Sequence, residues 1–152
     1  MTDKTEKLSD AKHAGVFQVT GGTDRIARTA QSAGLAVVQI DLNGIGHKAA
    51  LLDRLAQALR FPEWFGNNWD ALNDCLTDLS WLPAGGWMII LEHSNVMAKR
   101  NPKLFETAVE VLQSAGDYWR QSGKPFWVLL HGPGDWVSGA SVFDVRSGTR
   151  NS

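Results

Sequence analysis

The chain has 152 residues, 43% hydrophobic and 20% charged, a composition that supports one folded domain with a real core and excludes a disordered chain. Its net charge of −1 gives no bulk attraction to nucleic acid or acidic lipid, and its single cysteine, Cys75, excludes an internal disulfide framework and suits a reducing compartment. The polar N-terminus carries no secretory h-region, and the longest aliphatic and aromatic runs, WMIIL and FWVLL, have five residues, far short of a bilayer span. The expectation is a cytoplasmic protein.

In chain order, residues 1–14 read as a flexible tail. GVFQV (15–19) is rich in β formers, and GGT then punctuates it. Thr23 is placed to cap a helix that stops at Gly34. LAVVQIDL (35–42) is near-continuous in apolar residues, as a buried strand is. HKAALLDRLAQALR (47–60) is an amphipathic helix, because Leu51, Leu52, Leu55, Ala56 and Leu59 keep the 3.6-residue period. Phe61-Pro62 ends it. NNWDALNDCLTDL (67–79) forms a second helix capped by Asn67 or Asn68. LPAGG (82–86) turns into the strand WMIILEH (87–93). A helix is expected from Pro102 to Ser122, broken in its second half by Gly116. PFWVLLHG (125–132) is a further strand, and SVFDV (141–145) is placed to add an edge strand. Strands alternating with helices predict an α/β fold with a small parallel sheet. Residues 15–146 read as one domain, and 147–152 as a flexible C-terminal tail.

Charge is distributed unevenly along this chain. No lysine or arginine falls between Arg60 and Lys99, while Glu63, Asp70, Asp74, Asp78 and Glu92 all do. At about 100° per residue, Trp69, Leu72, Leu76 and Leu79 form the core face of the 67–79 helix. Asp70, Asp74 and Asp78 stand opposite, beside Asn73 and Thr77. Like charges four residues apart cost roughly 0.2–0.5 kcal/mol per pair, and surface helices ordinarily interleave cations to relieve this. The helix dipole helps Asp70 but reaches neither Asp74 nor Asp78. Three carboxylates along about 12 Å of one helix do not converge on a metal, and an exposed face does not separate two pKa values for acid–base work. Recognition of a cationic surface remains, through charge-assisted hydrogen bonds and steering. Trp64 and Phe65, just ahead of the helix, cannot both be buried in a tight loop. One of them is expected near the surface as an anchor.

The stretch Pro62-Glu63-Trp64-Phe65-Gly66, followed by Asn68-Trp69-Asp70-Ala71-Leu72 and Asp74-Cys75-Leu76, resembles the barstar family, intracellular inhibitors of barnase-type secreted ribonucleases. With AVVQIDL before it and WMIILEH and PFWVLL after, the likeness covers about residues 36–130. It implies a sheet of three core parallel strands, with room for one or two extra edge strands, packed with α-helices. It also implies an immunity-type function: inhibition without catalysis of a basic microbial ribonuclease, whose active site is plugged by the helix and its preceding loop. The carboxylates would stand in for RNA phosphates, with no cofactor, metal, membrane or direct nucleic-acid contact, and with a free protein that is monomeric. By position the resemblance assigns Trp64 to packing on the enzyme and Asp70 and Asp74 to its basic residues. Gly66, Asn68, Asn73 and Asp78 complete the expected partner-binding set. The chain departs from the family at Asn73, where the family carries tryptophan, and at Asp78, where it carries a small residue. A glutamate on the later helix has Asp117 as its nearest counterpart.

Two other readings compete. Asp41, Glu92, His93 and His131 end their strands, where parallel sheets collect ligands, so a small hydrolase using Glu92, His93 and His131 is the enzyme alternative. No nucleophile elbow, phosphate loop, zinc spacing or dinucleotide fingerprint accompanies them. A general interaction module for some other basic protein is the second. Cys75 reads as a small buried residue, and Lys99, Arg100 and Lys103 are too few for nucleic-acid binding.

Overall fold

The longest apolar runs of the chain become β-strands, and the sheet is built on them. In the computed structural model, which describes residues 7–133, 141–144 and 149–151, β1 (Val16–Val19), β2 (Leu35–Asp41), β3 (Gly86–Glu92), β4 (Phe126–His131), β5 (Ser141–Asp144) and β6 (Thr149–Asn151) make one sheet in the order β2-β3-β4-β1-β5-β6. The three expected core strands lie side by side and parallel, with Leu35 opposite Gly86 and Trp87 opposite Phe126. β1 is not an edge: it runs parallel to β4 on one side and to β5 on the other. β6 closes that side antiparallel to β5. Of the two expected tails, residues 1–6, 147, 148 and 152 lie outside the described residues, as does Val145. Residues 7–14 pack: Leu8, Ala11 and Ala14 are buried, and the indole Nε1 of Trp127 donates to the Leu8 carbonyl at 2.8 Å.

The helices are α1 (Asp24–Ser32), α2 (Lys48–Ala58), α3 (Trp69–Leu76), α4 (Ser94–Arg100) and α5 (Pro102–Gln121). The step from β1 to β2 crosses the sheet in the opposite direction to the steps β2 to β3 and β3 to β4. A single handedness for all three crossovers therefore sends α1 to one face and the other helices to the other. The buried clusters divide that way. Ile26, Ala27 and Ala30 of α1 meet Phe17, Met88, Ile90 and Trp127. Leu51, Leu55, Leu72, Leu76, Met97 and Leu112 meet Ile40, Ile89, Leu91, Val128 and Leu130 on the opposite face.

Three local expectations are corrected. α5 runs unbroken through Gly116, where a β-carbon would stand 3.8 Å from the Phe126 ring. Packing along α5 outweighs the roughly 1 kcal/mol that an internal glycine costs. Thr23 holds the N-cap position of α1 but caps nothing with its side chain; its hydroxyl donates to Glu92 Oε2 at 3.2 Å. The acidic helix ends at Leu76, not at 79. Leu79 adopts a left-handed backbone, φ 53°, its N–H donates to the Cys75 carbonyl, and its side chain is buried. The chain turns inward to bury Leu79, which stops the helix before Asp78.

Candidate protein-binding site

The site is built where α2 gives way to α3. α2 ends in a Schellman turn: the Phe61 N–H reaches back to the Ala56 carbonyl at 2.9 Å and that of Arg60 to Gln57 at 3.4 Å. Arg60 holds the left-handed position, φ 56°, usually given to glycine. Phe61 then packs its ring on Phe65, tilted by 59° at 4.9 Å between ring centroids. A turn closed by the Phe65 N–H on the Pro62 carbonyl, 3.0 Å, leaves Trp64 at its tip. Trp64 is 58% exposed, and Phe65 is the aromatic that packs. The expectation that one of the pair stays at the surface is met.

Asn67 is left-handed, φ 53°, and Asn68 is the N-cap of α3. The Asn68 Oδ1 accepts from the Ala71 N–H at 2.7 Å, and its Nδ2 donates to the Gly66 carbonyl at 3.2 Å. A β-carbon on Gly66 would crowd that amide at 3.2 Å. Asn68 thus fixes the joint between loop and helix. Burial of Leu72, Cys75 and Leu76 anchors the inner side of α3. Each fully buried leucine contributes roughly 1.5–3 kcal/mol, well above the repulsion between two aspartates one turn apart. The indole of Trp119 seals the far end, donating to the Leu76 carbonyl at 2.7 Å.

Asp70 and Asp74 lie on the exposed side of α3, with Asn73 half-buried beside them. Among the described residues neither aspartate is in an ion pair. Asp78 is exposed in the turn after the helix, where its Oδ1 accepts from the Ser80 N–H at 3.2 Å. The acidic face is therefore two aspartates on a helix and a third in the turn below it, rather than three in one row. Burial, then the charges of Asp74 and Asp78, push the Cys75 thiol up to about 11. One cation approaches: Lys48 Nζ stands 5.6 Å from the centroid of the Trp69 ring. Trp69 is correspondingly only partly buried. Asp117 is engaged elsewhere, paired with Arg120 at 2.7 Å. It lies two residues, hence about 200° of helix turn, from Trp119, which faces α3.

A residue after α3 packs against the candidate site, and the sequence reading did not single it out. Trp81 donates its Nε1–H to the Leu59 carbonyl at 3.0 Å. Its ring meets Phe61 edge-on at 6.1 Å and Trp64 edge-on at 6.3 Å. No local pattern marks a contact 22 residues distant in the chain.

The strand-end residues form two separate carboxylate–imidazole pairs. Asp41 Oδ1 meets His93 Nδ1 at 2.6 Å, and Glu92 Oε1 meets His131 Nδ1 at 2.5 Å. The Asn43 N–H on its carboxylate, with His93 beside it, draws the Asp41 pKa down. The hydroxyl of the following Ser94 is spent on the Leu91 carbonyl at 2.7 Å. The pairs tie together the ends of β2, β3 and β4 and the start of α4.

The family model Barstar (barnase inhibitor) matches residues 35–131, from the first residue of β2 to the last of β4. No curated protein matches the chain. The matched span includes α2, the Trp64 loop and α3 entire, and it takes in well over half of the sequence. This chain belongs to the Barstar (barnase inhibitor) family.

Proposed function

We propose that this protein is a non-catalytic inhibitor that binds a basic, secreted microbial ribonuclease through the Trp64 loop and the acidic side of α3, and blocks the enzyme's active site. The observation that carries the reading is an exposed Trp64 leading into a helix whose Asp70 and Asp74 have no ion-pair partner among the described residues. An enzyme that cleaves RNA holds phosphates with cationic side chains. Fixed carboxylates offer those cations charge-assisted hydrogen bonds in the phosphates' place. A large aromatic anchor flanked by charge is the composition of a binding hot spot. The family's description as a barnase inhibitor supports the same class of partner.

Roles divide within the set. Trp64 anchors, Asp70 and Asp74 pair with the enzyme's cations, and Asp78 and Asn73 lie at the margin. Gly66 and Asn68 hold the joint. The protein acts in the cytoplasm as a monomer, with no cofactor and no contact to nucleic acid. Among the described residues no helix is long and apolar enough to cross a membrane. Titration against a panel of basic microbial ribonucleases, reading RNA hydrolysis, tests the reading. Expected is stoichiometric inhibition of at least one enzyme and no turnover by the protein itself. If no ribonuclease is inhibited, or if the protein hydrolyses RNA and loses that activity on His93→Ala or His131→Ala, the reading is wrong.

A further inference from the structure

Four non-glycine residues among those described have a left-handed backbone: Arg60, Asn67, Leu79 and His93. Three of them sit in one place. Arg60 and Asn67 bracket the Trp64 loop, and Leu79 turns the chain toward Trp81. Non-glycine residues persist in this conformation only where their surroundings over-determine it, and such strain gathers at functional sites. The surroundings here are an aromatic cluster. Phe61 packs on Phe65, and Trp81 stands edge-on to both Phe61 and Trp64. Trp81 is itself tethered by its indole N–H to Leu59, the residue that ends α2. Trp64 is 58% exposed, yet one of its ring contacts comes from a side chain beyond the acidic helix.

From this we infer that Trp81 is a positioning residue for Trp64: it fixes the exposed ring in the orientation that a protein partner meets. The inference rests on the proposed ribonuclease-binding role, and it names a residue outside the loop and helix that would touch the enzyme. An untethered surface tryptophan samples several rotamers and loses that freedom on binding. A ring already seated against Trp81 has lost it in the free protein. Trp81 reaches Trp64 and the Leu59 carbonyl together, so the presentation of the loop depends on the segment after α3.

The test uses the full chain labelled with 5-fluorotryptophan, read by fluorine NMR, with the Trp64 resonance assigned through Trp64→Phe. Two variants are compared, Trp81→Leu, which removes the platform, and Trp81→Phe, which keeps a ring but removes the donor to Leu59. Unchanged resonances from the remaining tryptophans identify variants that keep the fold. The expected result is a Trp64 signal that shifts toward the free indole position in Trp81→Leu and partly so in Trp81→Phe. Affinity for an inhibited ribonuclease should fall about tenfold or more, the size of a typical hot-spot truncation. That loss should largely vanish in a Trp64→Ala background, because the two residues act as a unit. A Trp64 signal of the same position and width in both variants overturns the inference, as do additive losses in the double variant. If the unmodified protein binds no ribonuclease, the functional reading falls, and the Trp64 resonance alone decides whether Trp81 positions it.

Discussion

Asp74→Asn should move stability and affinity in opposite directions. In the free protein Asp74 stands one helical turn from Asp70, has no ion-pair partner among the described residues, and lies at the end of α3 whose dipole disfavours a carboxylate. Removing its charge relieves one i,i+4 repulsion, roughly 0.2–0.5 kcal/mol, so the variant should be stabilised by a few tenths of a kcal/mol. For a chain of this size that is about 1–2 °C in Tm. Asp70→Asn should be close to neutral, because at the second position of the helix the dipole stabilises the carboxylate by about as much as Asp74 opposes it. In the proposed complex each carboxylate would face a cation removed from water. Truncating one member of such a pair commonly costs about 2–5 kcal/mol, since the partner's charge is left unpaired. That corresponds to a Kd raised about 30- to several thousand-fold. The assays are urea unfolding of the free variants and calorimetric titration with an inhibited ribonuclease at two salt concentrations. Association of the unmodified protein should slow as salt rises, because exposed charges are screened beyond about 10 Å at 0.1 M. If Asp70→Asn and Asp74→Asn both lose stability and keep full affinity, the carboxylates serve the fold and the reasoning fails.

Two further outcomes follow from buried groups near the same helix. Trp119→Phe keeps an aromatic ring packed against Trp87, 4.6 Å away between centroids, but strips the Leu76 carbonyl of its indole donor; a buried acceptor left unpaired should cost about 1–3 kcal/mol, read as a lower urea midpoint, and an unchanged midpoint would show that the carbonyl finds another donor. Cys75 keeps its proton in the folded protein up to about 11, against an ordinary value of 9.0. The native state therefore binds more protons than the unfolded chain between those values, and stability falls as pH rises through that window. Cys75→Ala should flatten this part of the profile, and iodoacetamide at pH 8.5 should label Cys75 only once the protein unfolds. Labelling of the native protein at the rate of a free thiol would contradict both.

Much of the fold was legible because its signals are local. The runs in β3 and β4 are near-continuous in apolar residues and buried nearly throughout, as strands covered on both faces must be; β2, expected to be buried as well, is the edge strand and buries only Leu35 and Ile40 of its seven residues. α2 carries an unambiguous period, and its observed limits, Lys48–Ala58, fall within the expected 47–60. What escaped was set by tertiary contacts. α4 is seven residues long, too short for a period to emerge, and it holds its place through Ser94 and Met97. Leu79 ends the acidic helix in a conformation that sequence rules reserve for glycine or asparagine, so nothing in LTDLSW marks the stop. Gly116 reads as a breaker, yet it lies where α5 passes the Phe126 ring. The place of β1 between β4 and β5 depends on strand partners, which composition does not specify. For the candidate site, the exposure of Trp64, Asp70 and Asp74 was legible from helix periodicity and the missing cations. Trp81 was not, because its role comes from a contact across 22 residues.

The scaffold around the acidic helix explains how a self-repelling face can be kept. Three tryptophans end their polar reach on backbone carbonyls at segment ends: Trp81 on Leu59, Trp119 on Leu76 and Trp87 on Leu82. Each such carbonyl lacks an intrahelical partner or sits in a turn, so an indole N–H removes a desolvation cost while its ring adds apolar burial. The sites tethered are the end of α2, the end of α3 and the turn leading to β3, which are the places where the loop and helix could otherwise shift. A surface held this way keeps little conformational freedom to lose on association, and only the surplus over such losses appears as affinity. The few tenths of a kcal/mol stored in the Asp70–Asp74 repulsion are small against that anchoring. In the proposed complex a cation of the partner between the two carboxylates would release them, so the term that opposes folding of the free chain would favour that complex.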